Sequence, residues 1–291
     1  GGTLKVDIGD LAAPGKKLAK MALDAWTDAV GIKFKVVNKN ADITFDDNKD
    51  GAYSTSKVRG DTIRSSHVNI DTDWIDAYGK GKHTYSMQTY VHEIGHALGL
   101  GHAGNYNGNA TYDPWTYFEN DSWQASIMSY FSQDDNWLVD ADFALVMTPQ
   151  VADILAMRDL YGTTGIRGGD SRYSFAADFK AGTARTIVDT GGIDTLDLSW
   201  SKKKQFIDLN EDSFSTVNGL TGNLGIARGT VIEIAVGGSN KDTIVGNDYA
   251  NALFGRGGKD RLEGGGGEDL FVFDTMPGKK NVDRIVDFTP G

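Results

Sequence analysis

The chain has 291 residues, no cysteine and a formal net charge of −11. That charge argues against a nucleic-acid partner, which needs a basic footprint, and the missing cysteines exclude disulfides, a thiol nucleophile and thiolate metal sites. The acidity is skewed, with 34 of the 40 acidic residues aspartate, a residue that favours caps, turns and hard-cation sites over helix interiors.

Along the chain, residues 4–8 alternate as a strand. Residues 17–30 place Leu18, Met21, Ala22, Ala25 and Trp26 at helical spacing. Residues 32–37, 42–45 and 67–71 read as further strands, and 51–56 as a candidate exposed edge. A helix over 86–100 carries Met87, Val91, Ile94 and Leu98 as its core stripe. Another over 148–161 has Pro149 at a permitted first-turn position and Gly162 as its stop. This mixture defines an α+β domain over 1–162. Gly, Asp, Thr and Asn then dominate, helical periodicity fades, and an all-β domain is expected over 163–291. The longest apolar run, 143–147, cannot span a bilayer, and residues 1–10 lack the pattern of a signal peptide, so the chain is expected to be soluble with no membrane span.

Residues 92–102 read H-E-I-G-H-A-L-G-L-G-H. His92 and His96, four apart, share one helix face, so both imidazoles can reach one metal ion. Glu93 projects beside them as a water-activating base. Gly99 lets the chain leave the helix, and His102 can return as a third ligand. Three neutral nitrogens plus water describe an open, catalytic Zn2+ site. His67 and His83 match no zinc position.

A nine-residue period starts at Gly237, Gly246, Gly255 and Gly264. Its eighth position is Ile244, Leu253, Leu262 and Phe271, one apolar residue per turn. Its sixth is Asp242, Asn251, Asp260 and Asp269. A flexible Gly/Asp linker has no reason to keep an apolar residue in phase. The period therefore reads as a parallel β-roll in which repeats one and three stack, as do two and four. Ca2+ between stacked turns would draw on Asp242 with Asp260, and on Asn251 with Asp269, the latter pair being less charged and weaker.

With Ser126-Ile127-Met128-Ser129-Tyr130 as a methionine-containing turn, the motif resembles that of the metzincins. Together with the nonapeptide (RTX) repeats, the chain resembles the serralysins, secreted bacterial zinc endopeptidases. The resemblance implies a metzincin catalytic domain followed by a β-roll. It implies that Met128 forms an apolar floor beneath the histidines. Tyr130 would be an additional zinc ligand that swings away to bind the developing oxyanion; a half-buried core tyrosine is the alternative. It also implies calcium ligands at the entry to the second domain, from Arg167, Gly169 and Ser171, from Asp189, Gly191 and Asp194, and from Glu233. Turn capping is the other role open to these aspartates. Protein or peptide substrates, a proteinaceous inhibitor, a monomeric state, and an extracellular location reached by type I export are implied likewise. Family members usually carry more strands and an export signal after the repeats, so the second domain is expected to be incomplete at its C-terminus. Two rivals remain: a calcium-dependent binding module with a vestigial zinc helix, and a zinc hydrolase acting on another bond such as an ester.

Overall fold

The computed structural model describes residues 2–162, 165–276 and 278–288. The contacts divide the chain into two units, one of residues 1–139 and 145–164, the other of residues 140–144 and 165–291. The boundary expected after Gly162 meets Thr163 and Thr164, which lie outside the described residues, as does the Pro290-Gly291 end. Residues 140–144 join the second unit because Asp142 exchanges hydrogen bonds with Thr221, donating its N–H at 3.1 Å and accepting at 2.7 Å. No helix among the described residues is long and apolar enough to cross a membrane.

The first unit contains β1 (Thr3–Asp7), α1 (Ala13–Val30), β2 (Lys33–Val36), β3 (Ile43–Asp46), β4 (Ala52–Arg59), β5 (Thr62–Ile70), α2 (Thr72–Tyr78), α3 (Tyr85–Ala97), β6 (Leu145–Val146) and α4 (Val151–Tyr161). Its five-stranded sheet runs β2-β1-β3-β5-β4; only β4 is antiparallel to its neighbour, and it forms an edge. The short α2 and the full length of β4 and β5 exceed what periodicity shows, because these segments are mostly polar and carry little hydrophobic phase. Helix α1 starts at Ala13, four residues before the expected start at residue 17, with Pro14 in its first turn. Helix α3 ends at Ala97 rather than residue 100, because Gly99 takes φ +109° and the chain turns out.

Side-chain hydrogen bonds fix α3 in place. Trp26 Nε1 on α1 donates to the Val91 carbonyl at 2.9 Å, and Ser66 Oγ on β5 donates to the Ala97 carbonyl at 2.9 Å. Met87, Val91, Ile94 and Leu98 are all buried, as the stripe requires.

The second unit comprises β7 (Arg172–Tyr173), α5 (Ala176–Lys180), β8 (Thr183–Ile187), β9 (Thr195–Asp197), β10 (Phe206–Asp208), β11 (Phe214–Val217), β12 (Leu220–Ile226), β13 (Ile234–Val236), β14 (Thr243–Val245), β15 (Ala252–Phe254), β16 (Arg261–Glu263), β17 (Leu270–Val272) and β18 (Arg284–Ile285). The short helix α5 departs from the all-β expectation, and β11 pairs antiparallel with both β10 and β12. Elsewhere the strands are parallel. One sheet runs β17-β15-β13-β9-β7; the other includes β18-β16-β14-β10. Thr243 pairs with Arg261, and Ala252 with Leu270, an offset of two nonapeptides. Repeats one and three are thus neighbours, as are two and four. Ile244, Leu253 and Leu262 are wholly buried between the sheets with Leu196, Ile207 and Ala235. Phe271 is only half-buried, because β17 is the last strand of its sheet.

Candidate metal centre and cleft

His92 and His96 stand one turn apart on α3, their ring centroids 4.7 Å apart. His102 comes back from the loop after Gly99, with its Nε2 3.0 Å from that of His96. Each ring is oriented by a backbone carbonyl. Nδ1 of His92 donates to Ile127 at 2.7 Å, that of His96 to Leu100 at 2.8 Å, and that of His102 to Tyr106 at 2.8 Å. A carbonyl only accepts, so each Nδ1 carries the hydrogen and each Nε2 keeps its lone pair. These ligand atoms lie within 4.8 Å of one another, the only such three-residue group of His, Asp or Glu among the described residues.

Burial, then repulsion from His96, pushes His92 down to about 3, and burial lowers His96 and His102 as well. All three are therefore neutral near pH 7, the protonation state a metal ion requires. The donor set fits zinc.

Glu93 lies beside the group, 6% exposed, with Oε2 free of any hydrogen-bond partner. Burial alone pushes its carboxyl up to about 8. A cation held by the imidazoles would favour the carboxylate and draw that value down. Tyr130 places its ring 4.3 Å from that of His102 and 6.3 Å from that of His92. Met128 is 2% exposed, and a Cβ built on Gly95 would meet its Sδ at 2.6 Å. The methionine thus packs directly beneath the histidine-bearing helix. These side chains face a cleft of about 950 Å3. Ala52, Tyr53, Ser54 and Ser56 of β4 form one wall, so the candidate edge borders the histidines. Trp74, Tyr85 and Trp123 also line the cleft.

Three supports were not legible in the sequence. Asp153 on α4 accepts from Ser126 Oγ at 2.6 Å, from the Ile127 N–H at 2.8 Å and from the Gln150 N–H at 2.7 Å, pinning the turn whose Ile127 carbonyl orients His92. Tyr106 holds His102 through its carbonyl and donates its hydroxyl to Asp121 at 3.0 Å. Gly95 is required by close approach alone. Of the three, only Gly95 had a visible sign, a glycine inside a helical pattern.

The other metal-ligand candidates fall in two places. The backbone of Gly169 and Asp170 lies against Gly192, the Ser171 N–H donates to Asp194 Oδ1 at 2.7 Å, and the Asp194 N–H donates to Glu233 Oε2 at 2.7 Å. Asp189 accepts from the Gly191 N–H at 3.1 Å and from the Tyr173 hydroxyl. Arg167 turns its guanidinium to the Val188 carbonyl at 2.9 Å. Asp194 Oδ2 is buried without a partner, and burial, then the charges of Asp189 and Glu233, pushes its carboxyl up to about 6. An oxygen-rich cluster with an orphaned carboxylate oxygen fits a hard cation.

In the repeats, the Asp242 N–H donates to Asp260 Oδ1 at 2.8 Å and the Asn251 N–H to Asp269 Oδ1 at 3.0 Å. Asp260 Oδ2 is also buried and unpartnered, and burial pushes that carboxyl up to about 7. Asn251 turns its Oδ1 to the Asn247 N–H at 2.7 Å and its amide hydrogens to the Ile232 and Glu233 carbonyls, both at 3.3 Å. The first and third repeats therefore leave a free oxygen, whereas Asn251 closes its own turn.

The matrixin peptidase family model matches residues 13–124, and the model for the serralysin C-terminal region of M10 peptidases matches residues 159–291. A serralysin of Photorhabdus luminescens is 37% identical over 268 residues, 82% of this chain and 53% of that protein. A metallopeptidase, AprA, of Pseudomonas marginalis is 37% identical over 271 residues, 83% of this chain and 56% of that protein. Serralysin C of Dickeya chrysanthemi is 37% identical over 255 residues, 78% of this chain and 52% of that protein. The chain spans about half the length of these curated relatives. The two family matches, one in each half of the chain, together with this identity across most of the chain, show that it belongs to the serralysin family of M10 metallopeptidases.

Proposed function

We propose that this chain is a secreted zinc-dependent endopeptidase that hydrolyses peptide bonds in proteins. The observation that carries the reading is the convergence of three lone-pair-bearing Nε2 atoms beside the unpaired Oε2 of Glu93, in a cleft walled by an edge strand. His92, His96 and His102 would hold the ion, with Tyr130 as an additional ligand. Zinc supplies a Lewis acid that lowers the pKa of water and polarises a carbonyl. Glu93 takes the proton from the attacking water and delivers it to the leaving amine. Tyr130 donates its hydroxyl to the oxyanion that develops on the substrate carbonyl. The unpaired edge of β4 binds an extended peptide through main-chain hydrogen bonds, which favours a peptide over an ester. A vestigial binding module has no use for a buried, unpaired carboxylate at this position, since such a group costs stability.

In the second unit, the two-nonapeptide offset and the orphaned oxygens of Asp194 and Asp260 support a β-roll stabilised by Ca2+. Hydrolysis of unfolded casein tests the enzymatic reading, with and without a zinc chelator and alongside the Glu93→Gln variant. Cleavage that is sensitive to both chelator and substitution supports it.

A further inference from the structure

The stacked turns on one side of the second unit carry a line of lysines that the proteolytic reading does not use. The Asp242 N–H bonds to Asp260, and the Arg261 N–H bonds to the Asp242 carbonyl at 2.9 Å. These bonds place Lys241 and Lys259, each one residue earlier, in register on adjacent turns. On the preceding turn, the Gln205 N–H bonds to Asp242 Oδ1 at 2.8 Å and Asn240 Nδ2 to the Lys202 carbonyl at 3.3 Å. Lys203 and Lys204, between those two anchors, therefore lie beside Lys241. On the following turn, the Gly258 N–H bonds to Asn281 Oδ1 at 2.8 Å, which brings Lys279 and Lys280 alongside.

All seven lysines, 202–204, 241, 259, 279 and 280, are exposed, and no ion pair joins any of them to a carboxylate among the described residues. The aspartates of the same turns do not neutralise them. Asp242 and Asp260 are buried and bonded to backbone N–H groups, and Asp283 accepts from the Asp260 N–H at 3.0 Å. Adjacent parallel strands are about 4.8 Å apart, so the ridge repeats positive charge at about that interval. Like charges held in register repel, and a linear polyanion laid along them relieves the repulsion. On a chain of net charge −11, this is a local field of the opposite sign.

We propose that this ridge binds a linear acidic polysaccharide bearing carboxylate or sulfate groups. The geometry favours this class over two other polyanions. Single-stranded nucleic acid stacks its bases on a run of aromatic platforms, and exposed Phe206 on β10 beside Lys204 is a single ring rather than a run; between the lysines stand Ser239, Asn240, Gly257 and Gly258, which suit sugar hydroxyls. An anionic membrane presents a plane, whereas these charges form a file along the stacked turns.

The test uses the full chain in calcium-containing buffer, with polygalacturonate as the carboxylated probe and heparin as the sulfated one. Single-stranded oligo(dT) and phosphatidylglycerol vesicles are the comparison probes. The wild type should bind at least one polysaccharide, more tightly at low salt and more tightly than it binds oligo(dT) or vesicles. Lys241→Gln/Lys259→Gln should weaken that binding about tenfold and flatten its salt dependence. Lys17→Gln/Lys20→Gln, which removes the same charge from α1, should leave it unchanged. Failure to bind either polysaccharide, binding insensitive to the ridge variant, or tighter binding to oligo(dT) or vesicles would each overturn the proposal.

Discussion

A Cβ on residue 95 would lie 2.6 Å from Sδ of Met128 and 3.1 Å from Cζ2 of Trp26. Alanine is the better helix former by about 1 kcal/mol, while overpacking a filled core costs about 1–3 kcal/mol. Both neighbours are almost fully buried, so overpacking wins. Gly95→Ala should lower the unfolding free energy by about 1 kcal/mol, measured by urea denaturation, and an equal or higher stability would contradict the packing described. At this scale the sequence was most informative where side chains carry the chemistry. His92, Glu93, His96 and His102 sit together because a four-residue step and one glycine turn allow little else. It was silent where the backbone carries it. The carbonyls of Ile127, Leu100 and Tyr106 that set the imidazole tautomers leave no mark on residue identity.

Among the elements, α4 supports the centre through one buried carboxyl. Asp153 accepts three hydrogen bonds, yet burial still pushes it up to about 6. An acid whose folded pKa lies above its unfolded value holds its proton more tightly when folded. Stability therefore falls as pH rises from about 4 to about 6 and levels off above, a contribution on the order of 3 kcal/mol. Asp153→Asn should remove that slope from the pH dependence of unfolding. It should also lower stability at neutral pH, because one amide oxygen cannot serve three donors. A slope unchanged by the substitution would contradict this role. The helices α1, α3 and α4 were legible because their apolar stripes keep helical phase. Strand β4, mostly exposed and polar, was legible only as an edge, and α2 and α5 are too short to show a period.

For the whole molecule, the nonapeptide period forecast which strands become neighbours, since one apolar residue per repeat must face the same interior. It could not forecast the antiparallel β10-β11-β12 segment, which lies before the first repeat and breaks the pattern. The buried, partly unpaired carboxylates of this unit are a liability without a counter-charge. Calcium should therefore raise its melting temperature. A site saturated at one hundred times its Kd adds about 2.7 kcal/mol. Removal of calcium with a selective chelator should lower the transition seen by scanning calorimetry, and an unchanged transition would argue against calcium in these turns. Peptide-bond hydrolysis itself depends on Glu93. The most direct measurement is zinc content and casein turnover on the same preparation of Glu93→Gln. The variant should hold about one zinc per chain, as the wild type does, with turnover reduced about 10²- to 10⁴-fold. A zinc-loaded variant that cleaves casein at nearly the wild-type rate would contradict this dependence on Glu93.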